Sequence, residues 1–432
     1  MTAQADTLLA PYRVLDLTDV KSHLCGKILA EMGADVIKIE PPSGDSARAL
    51  GPYIDNMPSP SRSLQWLAYN TSKRGVTLNL ETADGRDLFR RMAAKADFVI
   101  ESFKPGYLDS LGLGFRDLRK INAELLLTSI TPFGQEGPYR DYEAPDIVLM
   151  ALGGFMSENG YPDSPPIRMS VDQAQYHGSV YGAAASLTAH LERVKTGEGG
   201  HVDVSIQECL MLMFDTSTQE WLISKRQGTN RVGPAMWRGK VLMRLVWKAK
   251  DGFATWRLFT GQPVGRRTHK IIDWAEEDGQ QTGLKGTKWE DIDMLSITQE
   301  QLDKWDKVFA GFFASHTKQQ LFDGALKRNM MIYPVNTITD VLHAPHFQER
   351  EFFVEVEHPE LSPVRGEPVE PRTGGAASPG TYKYPGPFWK SHGAPWRLKH
   401  RAPLLGEHNT EVYAELGLNA HDLVALKAAG AI

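Results

Sequence analysis

Between residues 13 and 131, short apolar runs alternate with segments whose apolar residues recur at helical spacing. RVLDL (13–17) reads as a strand. Leu24, Cys25, Ile28, Leu29 and Met32 then follow a 3.6-residue period, and Gly33 suits the end of that helix. DVIKIE (35–40) is a second strand, stopped by Pro41 and Pro42. GVTLNL (75–80) alternates as a strand does, Asp84 to Ala96 is helical, and DFVIES (97–102) and ELLLTSI (124–130) are further strands. The alternation predicts right-handed βαβ units, hence an α/β, Rossmann-like domain with a mostly parallel sheet and helices on both faces.

The stretch 163–208 carries the next part of the pattern. A Pro/Ser-rich loop leads to a helix from near Asp172 to about Val194, a Gly-rich turn and a strand, 201–206. Ala174, Gly178 and Gly182 recur at i, i+4, i+8, so one helix face is nearly bare backbone and suits close packing. Asp172 sits where this helix starts, at unpaired N–H groups and a positive dipole end. Two readings stay open: an N-cap or first-turn acid, which placement favours, or an ionised carboxylate used as a nucleophile.

From about residue 235 the texture changes. VLMRLVWKAKDGFATWRLFTG (241–261) reads as two strands turning at Asp251-Gly252, and helices are expected over 301–314 and 317–328. This is a smaller α+β unit; Trp237, Trp247 and Trp256 either fill its core or line an apolar acyl pocket. FFVEVE (352–357) is a strand, 361–388 a Pro/Gly-rich loop, and the tail two short helices, with Asn409 as cap of the first and the second starting near Asn419 to His421.

A chain of 432 residues exceeds one ordinary core. Its composition, 41% hydrophobic and 23% charged, is that of a soluble globular protein. The pattern lacks a membrane-spanning run and a signal-peptide start. Two cysteines in such a length point to a reducing, cytoplasmic setting. A net charge of −5 argues against nucleic acid as a partner.

Ligands of open α/β sheets bind beyond the C-terminal strand ends. Loops 19–23, 41–48 and 101–106 leave strands there, and 70–75, before the third strand, is a fourth candidate; Lys21, Lys73, Arg74 and Lys104 make an anionic, phosphate-bearing ligand the expectation. The first βα turn has no glycine before Gly26, which disfavours a dinucleotide. Walker A, HExxH and CxxC patterns are absent, so no metal is expected, and GSVYG (178–182) has its serine misplaced for a hydrolase elbow. His177 reads as a packing or surface histidine, and Asp35 and Asp97 as structural. Asp172 remains as the nucleophile candidate.

RVLDLT, EMGADVIKIEPPSGDSAR, NTSKRGVTLNL, ESFKPGYLDSLGLGF, SITPFGQEGPYR and VDQAQYHGSVYGAAASLTAHLERVKTGEGGHVDVSIQE, in this order, resemble the family III CoA-transferases, the group that contains formyl-CoA transferase. The resemblance implies an acyl-CoA and a free carboxylic acid as substrates and no tightly bound cofactor. It implies Asp172 as a covalent nucleophile, passing through aspartyl–acyl anhydride and aspartyl-CoA thioester, with Asp146 assisting. The CoA contacts it implies are Val20, Lys21 and Ser22; Tyr69, Asn70, Thr71, Ser72 and Lys73; and Ser102, Phe103 and Lys104. Three basic positions of the family appear as Pro41, Ser110 and Glu143, with Lys21, Lys38, Arg48 or Arg74 as substitutes.

The family fold implies a large Rossmann-like domain (1–225), a small α+β domain (226–330) and a C-terminal segment (331–432) returning to the large one. Each such chain forms a ring, and two rings interlock as a homodimer or as a heterodimer with a related subunit. KDGFATWRLFTG resembles transferases of aromatic succinates that use succinyl-CoA as donor. Two alternatives share the fold. One is an α-methylacyl-CoA racemase, disfavoured because its histidine is missing at Ala144-Pro145-Asp146. The other is a non-catalytic subunit of a heteromeric transferase.

Overall fold

The computed structural model describes residues 7–161, 163–213, 217–225, 231–361 and 380–432. Two compact units form. The first comprises residues 1–155, 169–215 and 345–432, the second 156–168 and 216–344. The second unit therefore takes in a short piece from before the long helix and extends beyond 226–330 at both ends.

The first unit is built on six parallel strands: β1 (Arg13–Leu17), β2 (Asp35–Glu40), β3 (Arg74–Thr77), β4 (Phe98–Glu101), β5 (Leu126–Thr131) and β6 (His201–Ser205). Their order is β3-β2-β1-β4-β5-β6, so the chain winds outward in both directions from β1 and β4. Strands buried on both faces read as near-continuous apolar runs, as RVLDL and DVIKIE do, whereas β6 leaves His201 and Asp203 exposed. On one face Leu15, Ile37, Val76, Val99 and Leu127 pack with Phe89 and Met92 of the helix Ala83–Ala93 and with Tyr413 near the C-terminus.

The other face carries the helices His23–Glu31 and Ala174–Thr196. The long helix approaches as its small-residue stripe predicts. A Cβ on Gly182 would lie 2.4 Å from Ile130 Cδ1, and one on Gly178 2.7 Å from Ile206 Cγ1. Thr128 on β5 and Ser186 on the helix join hydroxyls at 2.7 Å across this seam. Cys25 is fully buried there, as a core residue. The Gly-rich turn that follows is also structural. Gly197 ends the helix in the left-handed conformation (φ 73°), and a Cβ on Gly199 would meet Leu125 O at 2.1 Å.

The C-terminal segment closes the β3 edge. Tyr413 donates its hydroxyl to Thr77 O at 2.6 Å, and Asn79 N–H reaches Ala431 O at 2.8 Å. Asn409, expected as a cap, is instead the first residue of the helix Asn409–Ala414, and its amide pairs with Thr77 at 2.9 and 2.8 Å. Asn419 does cap the last helix, in a box with Asp422. Within the Pro/Gly-rich stretch, Thr381–Pro385 forms a strand antiparallel to Phe353–Glu357, and 362–379 lies outside the described residues.

In the second unit Val246–Ala249 and Gly252–Thr255 pair antiparallel, as the turn at Asp251-Gly252 implied, and Tyr333–Pro334 adds a third strand. A further hairpin pairs Ala235–Arg238 with Val241–Arg244, and no glycine run occurs there. Trp247 and Trp256 are core residues, packed on Phe309 and Phe313 of the helix Gln299–Ala314, with Trp247 stacked 5.2 Å from Phe313. Of the two readings left open for the tryptophans, core filling holds for Trp247 and Trp256, both buried against this helix, whereas Trp237 is 43% exposed.

Replacing Gly182 by Val is expected to lower stability by about 1–3 kcal/mol through overpacking against Ile130. Ile130→Ala in the same chain should recover part of that loss in denaturant unfolding. A Gly182→Val chain as stable as wild type would rule out the close seat described above.

Candidate active site

Asp172 lies two residues before the long helix, which begins at Ala174 with Gln173 as its N-cap. The capping is not its own. Asp146 Oδ1, from the first residue of the helix Asp146–Leu152, accepts from both Gln173 N and Ala174 N at 2.7 Å. Gln173 turns its side chain back and donates Nε2–H to Asp172 O at 2.8 Å. One turn on, His177 Nδ1 meets Gln173 O at 2.9 Å, and its ring lies 6.3 Å from Phe155, a packing role. Tyr176 faces Tyr69 with ring centroids 5.0 Å apart. Burial first, then a hydrogen bond to Tyr176, pushes the Tyr69 phenol above its ordinary value. Tyr69, expected on the ligand side, is thereby brought to the helix start that carries Asp172.

The loops after β1 and β4 also meet. Ser102 Oγ donates to Asp19 Oδ1 at 2.9 Å and accepts from Asp19 N at 2.8 Å. Lys21 pairs with Asp19 at 2.8 Å and stays about one-third exposed. Val20 packs at the edge of a small core that contains Trp66 and Leu67. Ser22 is fully buried, and its hydroxyl has no hydrogen-bond partner among the described residues. Phe103 packs on Tyr107 at 4.6 Å, and Lys104 is exposed.

The remaining expected contacts point elsewhere. Lys38 and Lys73 are buried: Lys73 bonds Asp16 at 2.8 Å, His23 O at 2.8 Å and Asn70 Oδ1 at 2.9 Å, and Lys38 bonds Thr18 O and Asp45. Burial would raise the Asp16 carboxyl, but the Lys73 and Lys38 ammonium groups outweigh it and hold Asp16 below its usual value. Arg48 is held by Glu40 at 2.6 and 2.8 Å and lies 3.6 Å over the Trp66 ring. Thr71 donates to Glu31 at 2.6 Å, and Ser72 accepts from Lys399 N at 2.8 Å. Neither Lys38 nor Lys73, nor the Asn70, Thr71 and Ser72 side chains between, presents a free polar face.

The reason is register. β3 runs parallel to β2 with Ile37 beside Arg74 and Glu40 beside Thr77, so residues 70–73 enter β3 from the end opposite the strand C-termini. Arg74 confirms that placement, bonded to Asp35, Glu411 and Glu415 at 2.6–2.9 Å. The segment that leaves β3 at the C-terminal end is 78–82, where Tyr107 donates to Glu81 at 2.6 Å. It was missed, although the rule that ligands meet loops after strands points to it.

The model of CoA-transferase family III matches residues 9–409, nearly the whole chain. The chain belongs to CoA-transferase family III. Among curated relatives it is 30% identical to the succinyl-CoA:(R)-benzylsuccinate CoA-transferase subunit BbsE of Thauera aromatica, covering 98% of this chain and 97% of that one. It is 28% identical to the succinyl-CoA–D-citramalate CoA-transferase of Chloroflexus aurantiacus, covering 96% of each. Among solved structures, a CAIB/BAIF family protein from Brucella suis superimposes with a TM-score of 0.77 at 25% identity, over 95% of this chain and all of that one. The parallel six-stranded fold is therefore that of family III, and the protein is a CoA-transferase.

In this transferase two more groups stand at the strand ends that the pattern did not single out. Arg140 Nη2 lies 3.6 Å from where a Cβ of Gly106 would be, beside the ESFKPG turn. Glu101, the last residue of β4, is buried, accepts from Phe103 N at 2.6 Å and bonds Ser129. Burial pushes its carboxyl from 4.5 up to about 7, against the lowering effect of Ser129, Phe103 N–H and Lys21.

A pH test follows from the sign of that shift. The unfolded chain releases this proton near 4.5 and the folded chain only near 7, so the contribution of Glu101 to stability falls as pH rises through that window. Glu101→Gln cannot ionise. Its stability relative to wild type should rise by up to about 3 kcal/mol between pH 4 and pH 8 in denaturant titrations. A pH-independent difference would mean that Glu101 titrates normally.

Proposed function

We propose that this transferase moves CoA from succinyl-CoA to a substituted succinate, with Asp172 as the covalent nucleophile. The observation that carries the reading is the near full-length match to a succinyl-CoA:(R)-benzylsuccinate enzyme subunit, joined to an aspartate at the start of the long helix. Other relatives are named for citramalate, glutarate and mesaconate, and the shared chemistry of their acceptors is a dicarboxylic acid. An aromatic succinate is the acceptor proposed here.

Asp172 attacks the thioester carbonyl of succinyl-CoA, which gives an aspartyl–succinyl anhydride and releases CoA thiolate. The thiolate returns to the aspartyl carbonyl, forms the aspartyl-CoA thioester and expels succinate. The acceptor carboxylate then displaces CoA to form a second anhydride, and thiolate attack on its acceptor carbonyl yields the new acyl-CoA and restores Asp172. No net proton or electron is consumed. Anhydrides hydrolyse, so the reaction needs a site that excludes water.

CoA binding is assigned to Val20, Lys21 and Ser22 with Ser102, Phe103 and Lys104, and to Tyr69 beside the helix start. The orphaned Ser22 hydroxyl supports this, since a buried hydroxyl without a partner is costly. The chain is further proposed to work as an interlocked dimer, with itself or with a related subunit. Val180, Leu191 and Val194 on the long helix are 49%, 63% and 67% exposed, apolar surface that a partner would cover. A heteromer is supported by the word subunit in the name of the benzylsuccinate relative.

Asp172→Ala should abolish CoA transfer from succinyl-CoA to benzylsuccinate, a loss of about a thousandfold or more, with an unchanged circular dichroism spectrum. Wild type mixed with succinyl-CoA should gain mass on the Asp172 peptide and lose it to hydroxylamine. Full activity in Asp172→Ala would refute the mechanism, and exchange of an α-proton without acyl transfer would identify a racemase instead.

A further inference from the structure

The amides at a helix start are usually capped by the side chain of the N-cap residue itself. Here the cap comes from 27 and 28 residues away in sequence: Asp146 Oδ1 takes both Gln173 N–H and Ala174 N–H at 2.7 Å. Such short bonds to a carboxylate are the strong kind. The Gln173 N–H belongs to the peptide group that directly follows the Asp172 Cα. The carbonyl of that same peptide, Asp172 O, accepts from Gln173 Nε2 at 2.8 Å. One peptide plane is thus tethered at both its polar atoms, and this fixes ψ of Asp172 and with it the point from which the side chain projects.

The anchor is itself rigid. Asp146 opens the helix Asp146–Leu152, whose Leu149 and Met150 are buried, and a Cβ at Gly153 just after it would touch Leu210 at 3.0–3.1 Å. Leu210 lies on the helix Ile206–Met211, and its neighbour Ile206 packs against Gly178 of the long helix. These three helices therefore pack on one another next to the start of the long helix.

We propose that Asp146 is a positioning residue: it holds the Asp172–Gln173 peptide and so aims the Asp172 carboxylate, and it does not itself exchange a proton with substrate. This rests on the reading of Asp172 as nucleophile. It separates Asp146 from the assisting role in catalysis that the sequence resemblance implied. A displacement of about 1 Å at a reacting group costs on the order of a hundredfold, so loss of the anchor is expected to cost between tenfold and a hundredfold in the chemical step.

The test uses the full chain with succinyl-CoA as the probe, in three variants: Asp146→Asn, Asp146→Ala and Gln173→Ala. Three quantities are read: the single-turnover rate of mass gain on the Asp172 peptide, the succinyl-CoA concentration for half-maximal rate, and amide exchange across residues 170–178. Asp146→Ala should slow labelling by about 10- to 100-fold, leave the half-saturating concentration within about threefold, and speed exchange at the helix start. Asp146→Asn keeps a carbonyl oxygen that can accept both bonds, so it should recover most of the labelling rate. Gln173→Ala removes the second tether and should slow labelling several-fold; it keeps the test decisive if Asp146→Ala fails to fold. Labelling at the wild-type rate in Asp146→Ala, or an Asn variant as slow as Ala with normal exchange, would overturn the proposal. A wild-type chain that takes no label overturns the nucleophile reading and this inference with it, whereas label that is insensitive to Asp146 overturns the inference alone.

Discussion

The approach of the long helix to β5 is the constraint on which the first unit depends. Gly178 and Gly182 leave no side chain between helix backbone and the Ile130 and Ile206 side chains, so the helix lies at the smallest separation that packing allows. That seat determines the height of the helix start above the sheet, and with it the position of Asp172. The Thr128–Ser186 hydroxyl pair in the same seam adds a directional contact that a purely apolar seam lacks. A bulkier stripe would lift the helix away from the residues that hold its first turn, Asp146 through its backbone and Tyr69 through Tyr176.

A second constraint is electrostatic. Asp16, Glu40 and Asp45 are buried beside Lys38, Lys73 and Arg48, three acids against three bases, each base bonded to at least one of the acids. Removing one partner of a buried pair leaves an uncompensated charge, so these bases are committed to structure. Among the cations near the strand C-terminal ends, Lys21, Lys104 and Arg140 lie on loops. The buried bases Lys38, Lys73 and Arg48 instead brace β1, β2 and the segments beside them.

The loops after β1 and β4 are locked together by Asp19 and Ser102, and the orphaned Ser22 hydroxyl lies within that locked turn. Glu101, at the base of the same turn, has its carboxyl pushed up to about 7 by its burial. Short polar side chains and backbone amides join the two turns, and Lys21 is tied to the same Asp19.

The sequence by itself determined the α/β class, the six strands and the long helix, because strands buried on both faces and a helix with a bare face leave unmistakable apolar periods. It also singled out Asp172, through its place before that helix and through the ordered family motifs. Only the tertiary structure decided what surrounds Asp172. The cap from Asp146 spans 27 residues, and the Tyr69–Tyr176 pair spans more than a hundred; no local pattern encodes such pairings. The same holds for the lysines. Lys21 and Lys73 look alike in sequence, but parallel register puts one at the open end of the sheet and buries the other against Asp16. Periodicity reports which face of an element is buried. Which partner meets that face, and at which end of the strand a charge emerges, is fixed by pairings between residues far apart in the chain.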